Sequence, residues 1–142
     1  MSAHRSAGRG FTLLELVFAV AIVGLLLAVA YPSFMQQIAK SRRTEAKSVL
    51  LACAQLLERH NSQSGNYAAG SDAGVAAACL GTTRNGYYSL PDGNVPAAAA
   101  GTYMIQATPI GAQAGDACGT FAYAQDGTKS VSGASLPSAS CW

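Results

Sequence analysis

The stretch GRGFTLLELVFAV, residues 8–20, sets a carboxylate, Glu15, at the head of an otherwise apolar run. From Leu16 to Tyr31 no side chain is charged or strongly polar. Extended back to Phe11, the run counts 21 residues. That is enough to cross a bilayer as a helix at about 1.5 Å per residue. An unpaired carboxylate entering lipid there costs roughly 2–4 kcal/mol. Glu15 therefore either stays out of the lipid or has a partner within it.

The rest of the composition narrows the class. The chain has 142 residues, room for one domain plus an appended segment. Half of the residues are apolar and only 11% are charged, which is no disordered polyelectrolyte. Removing Arg5 and Arg9 leaves seven Lys/Arg against seven Asp/Glu, so the net +2 resides in the first ten residues. That balance disfavours a strongly basic nucleic-acid platform. Cys53, Cys79, Cys118 and Cys141 form no C-x-x-C pair, which disfavours structural zinc and thioredoxin-like chemistry. Behind an export segment, an even number reads as two disulfides in an oxidising compartment. Three pairings are possible. The sequence-local one, Cys53–Cys79 with Cys118–Cys141, is favoured, each loop contributing roughly 3–4 kcal/mol of chain-entropy stabilisation.

The apolar segment admits three readings: a plain transmembrane anchor, a signal peptide cut after Ala28-Val29-Ala30, or a retained helix behind a short leader. The third has a specific signal. Gly10, Phe11, Thr12, Leu13, Leu14 and Glu15 follow a short basic leader and open the long apolar run. This resembles the motif of the type IV pilin family. The resemblance implies a leader of residues 1–10, cut between Gly10 and Phe11 by a prepilin peptidase/N-methyltransferase that then methylates the Phe11 amine. It implies a membrane and filament-core helix over 11–31 and a head over 32–142. It also implies a partner for Glu15, the N-terminal amine of a neighbouring subunit. A neutralised pair costs far less in an apolar core than either lone charge. Lys40, Arg42 and Arg43 follow the span as closely as Arg5 and Arg9 precede it, so positive charge does not set the orientation. The cysteines place the head on the periplasmic side, before assembly into a surface pilus.

Residues 11–64 read as one long helix. Pro32, eight residues after Gly24, predicts a kink or local melting. Beyond it Ala46, Val49, Leu50, Cys53, Leu56 and Leu57 form one apolar stripe. Residues 65–86 read as a Gly/Ala/Ser-rich surface connection. YYSL (87–90) and TYMIQATPI (102–110) read as strands, and 119–133 as a hairpin with a two-residue Asp126-Gly127 turn. The predicted fold is α+β: a long N-terminal helix packed on an antiparallel sheet, with a C-terminal disulfide-bounded loop. That architecture is similar to the pilin fold, and the SCW ending resembles PilE-type minor pilins.

No catalytic set emerges, and no cofactor or metal is expected. His60 lies at the helix end, where it reads as a surface residue. DGN (92–94) and DGT (126–128) lack the spaced carboxylates of a calcium loop and read as turns. Arg84, Lys129 and the Arg42/Arg43 pair are the candidates for DNA contact, scattered rather than clustered. The expected function is a structural type IV pilus subunit, a minor pilin serving assembly, twitching motility, adhesion or DNA uptake. Its expected partners are other pilin subunits, the processing enzyme, the inner-membrane assembly platform and the membrane. A major pilin, a DNA-binding pilin receptor and a type II secretion pseudopilin are the alternatives.

Overall fold

The structure, a computed structural model, describes residues 11–96 and 101–142. The leader and Gly10 lie outside the described residues. By its internal contacts the chain divides into two units, Met1–Gln37 and Ile38–Trp142.

Helix α1 spans Leu13–Ser64. It starts two residues later than the apolar run because Thr12 takes the N-cap position. The Thr12 hydroxyl accepts the Glu15 N–H at 3.2 Å, half of a capping box. The helix assignment runs continuously through Gly24 and Pro32. Proline removes a single backbone hydrogen bond, and the flanking turns keep theirs. Its apolar side chains are bare: Leu13, Leu14, Leu25 and Val29 each expose two thirds or more of their surface. At the other end Gly65, at φ +77°, donates its N–H to the Asn61 carbonyl and closes the last turn.

Within the head, Ala46, Leu50, Cys53, Ala54 and Leu57 of α1 are buried. All but Ala54 belong to the predicted stripe. The connection after α1 is not the loop expected. Helix α2, Ala73–Cys79, is capped by Asp72, whose Oδ1 accepts the N–H groups of Gly74 and Val75. Val75 and Cys79 are buried. Seven residues of mostly Ala and Gly carry too little periodicity to announce a helix.

Five strands follow: β1 Gly81–Thr82, β2 Tyr88–Leu90, β3 Met104–Pro109, β4 Thr120–Ala124 and β5 Lys129–Ser132. They form an antiparallel meander in chain order. Ile105 pairs with Tyr123 and Ala107 with Phe121; Phe121 in turn pairs with Val131 and Tyr123 with Lys129. Ile105, Ala107 and Phe121 are fully buried. The β4–β5 turn is a three-residue loop, not the two-residue type. Ala124 donates to the Thr128 carbonyl, and only Gly127, at φ +83°, is left-handed. A two-residue type I′ turn would need Asp126 left-handed as well. The DGN turn holds more than a bend. Buried Asn94 donates to the carbonyls of Cys79 and Gln106 and accepts the Gln106 N–H, tying α2 to β3. The last segment closes as the short helix α3, Ser138–Cys141.

Candidate nucleic-acid interface

The surface with the right chemistry lies where α3, β5 and α1 meet. The Cys118–Cys141 disulfide holds α3 beside the start of β4. It thereby seats Trp142 against the sheet. The Trp142 ring meets Phe121 edge-on at 5.5 Å and lies 6.2 Å from Tyr123. Its indole N–H donates to the Ser130 carbonyl at 2.9 Å. Lys129 Nζ sits 5.5 Å from the Trp142 ring centroid, within cation–π range.

From α1, Lys47 Nζ donates to the Cys141 carbonyl at 2.9 Å. Burial lowers the Lys47 pKa, and the neighbouring charges of Arg43, Lys40 and Lys129 lower it further. Lys47 meets the Cys141 carbonyl and Lys129 the Trp142 ring, and Lys40 lies two helical turns before Lys47 on the same face of α1. Arg43 is neutralised, because its guanidinium holds both oxygens of the nearly buried Asp116 at 2.7–3.0 Å. Lys40, Lys47 and Lys129 remain without an ion pair among the described residues. A phosphate arriving here relieves repulsion as well as gaining attraction.

The candidates read from the sequence part company. Lys129 belongs to this corner. Arg84 sits in the β1–β2 loop at the opposite edge of the sheet, four strand spacings away, roughly 19 Å at about 4.8 Å each. There Glu45 clamps the loop by accepting the Asn85 backbone and side-chain N–H groups at 2.9 Å. Arg42 is engaged within the head, 3.8 Å over the Tyr87 ring and donating to Gln113. Lys40, Lys47 and Trp142 were not singled out for DNA contact. Lys47 and Lys129 are too far apart in sequence to look like one patch. The signal available was only the C-terminal cysteine that pins the last helix. Among the described residues no group of three His, Cys, Asp or Glu could hold a metal ion.

A motif of this kind, an apolar helix and a disulfide-tied α+β head are the parts of a type IV pilin. Residues 32–122 match the family described as "Type IV minor pilin ComP, DNA uptake sequence receptor", and residues 5–31 match the "Prokaryotic N-terminal methylation motif". The chain belongs to that ComP family of type IV pilins, a family of structural subunits rather than enzymes. The type IV major pilin protein PilA of Myxococcus xanthus is 46% identical over 52 residues, which cover 37% of this chain and 24% of that protein. A fimbrial protein of Dichelobacter nodosus is 35% identical over 107 residues, covering 75% of this chain and 62% of that one. A solved type IV pilin from Shewanella oneidensis is 26% identical, with a TM-score of 0.48 over 73% of this chain and 97% of that one. The chain thus spans less than two thirds of the length of these curated relatives.

Proposed function

We propose that this chain is a minor type IV pilin whose head captures DNA at the Lys40–Lys47–Lys129–Trp142 corner. It is cut between Gly10 and Phe11 and methylated on Phe11. The apolar helix anchors it in the inner membrane, leader inward and head outward, until the assembly platform adds it to a pilus. Glu15 then meets the Phe11 amine of an adjacent subunit in the filament core. The observation that carries the DNA reading is the set of lysines without ion pairs around the half-buried Trp142 indole, in a family described as a DNA uptake sequence receptor.

The test is duplex-DNA binding by the detergent-solubilised full chain, read by fluorescence anisotropy. The double variant Lys47→Gln/Lys129→Gln is expected to bind at least tenfold more weakly. Arg84→Gln, at the other sheet edge, is expected to bind within twofold of the unaltered protein. If Arg84→Gln is the damaging change, the site belongs to the β1–β2 loop instead. Mass spectrometry of sheared filaments is expected to find the chain at a small fraction of the dominant subunit, with a methylated Phe11 terminus.

A further inference from the structure

A second feature of the head has a different chemistry. Between α1 and the β3–β4 pair runs an open groove of about 450 Å3. Leu51, Ala54, Glu58, Tyr103 and Tyr123 line it. Glu58 is exposed at its edge, and its carboxylate accepts hydrogen bonds from the Tyr67 hydroxyl at 3.1 and 3.2 Å and from the Tyr103 hydroxyl at 3.1 Å. The two tyrosine rings meet edge-on at 5.0 Å. Burial and the Glu58 carboxylate both raise the hydroxyl pKa of Tyr103, so it stays a neutral donor. The carboxylate is therefore oriented without being neutralised. Among the described residues the ion pairs are Arg43–Asp116 and His60–Asp72, and Glu58 has none. Leu51 leaves 39% of its surface uncovered beside it.

An oriented, uncompensated carboxylate, aromatic walls and an apolar floor suit a long cationic side chain. The stem lies along Leu51 and Ala54, and the charged head reaches Glu58 beside the Tyr123 ring. Partial enclosure by aromatic rings strengthens the attraction over its value in open water. We propose that this groove receives a lysine or arginine side chain of a neighbouring pilin subunit, fixing how adjacent heads meet. The proposal rests on the pilin reading above, because filament packing is what brings a second head to this face. Charge complementarity selects the occupant. Among the described residues this head itself carries Lys40, Lys47 and Lys129 without carboxylate partners, so a second copy of the chain carries the complementary charge.

The experiment expresses full-length Glu58→Gln in cells and compares its amount in sheared filaments with its amount in the membrane. A glutamine carbonyl still accepts from Tyr67 and Tyr103, so the head keeps its hydrogen bonds and loses only the charge. The filament fraction is expected to fall at least fivefold while the processed membrane pool and DNA binding are unchanged. A photo-crosslinking residue placed at Gln55, on the groove wall, is expected to capture a neighbouring subunit within a few residues of a Lys or Arg. Normal incorporation of Glu58→Gln overturns the proposal, as do crosslinks confined to acidic or apolar segments. If the unaltered chain never enters filaments, the pilin reading itself falls, and the proposal with it.

Discussion

At the scale of single residues, the head is organised by polar groups whose partners lie far away in sequence. Arg43 and Asp116 are 73 residues apart, and their contact is bidentate. The side chains expose only 18% and 2% of their surface. Asp116 also accepts the Cys118 N–H at 3.1 Å, so it positions the cysteine of the C-terminal disulfide. Arg43→Ala leaves a buried carboxylate without its cation, which typically costs about 3 kcal/mol or more. Urea unfolding is expected to show that loss, whereas Arg84→Ala, on an exposed loop, is expected to stay within about 0.5 kcal/mol. Equal small effects would mean that water already screens the pair. Glu15 makes a local contact at the other end of the chain. Its backbone N–H completes the Thr12 cap, so its position in the motif serves the helix start as well as any filament contact made by its carboxylate.

At the scale of elements, periodic segments were legible and short ones were not. The α1 stripe and the β3 alternation were readable because burial repeats with the period of the element. Ala46, Leu50, Cys53 and Leu57 are all buried, as are Tyr103, Ile105 and Ala107. Helix α2 escaped because its order comes from outside itself: the Asp72 cap, Asn94, and the disulfide from Cys79 to Cys53. The proposed DNA-facing corner was legible only at Lys129. Lys47 looked like one more solvated charge on a helix face, and only the fold sets it against Cys141. The disulfide is what makes α2 part of the core. Closing a 26-residue separation is worth about 3 kcal/mol in the chain-entropy model. The double variant Cys53→Ser/Cys79→Ser is therefore expected to lose stability of that order. Amide exchange is expected to rise first over residues 73–79. Uniform loss of protection across the head would show instead that α2 and the sheet unfold as one unit.

At the scale of the whole molecule, net charge and local charge have different consequences. Only Glu15 among the acids, and only Arg5 and Arg9 among the bases, lie outside residues 38–142. The head thus holds seven Lys/Arg against six Asp/Glu, too even a balance for long-range attraction to a polyanion. On the proposed reading, DNA binding comes from the few cations gathered at one corner, and that number is measurable. If Lys40, Lys47 and Lys129 each neutralise one phosphate, log affinity falls with log salt at a slope of about −2.7 for duplex DNA. Between about 50 and 200 mM salt the affinity is then expected to drop roughly 40-fold. Lys129→Gln is expected to flatten the slope by about one, and Arg84→Gln to leave it unchanged. A slope near zero would place recognition in uncharged contacts around Trp142. A slope beyond about −5 would require cations from both edges of the sheet, and so a duplex lying across the whole head rather than on one corner of it.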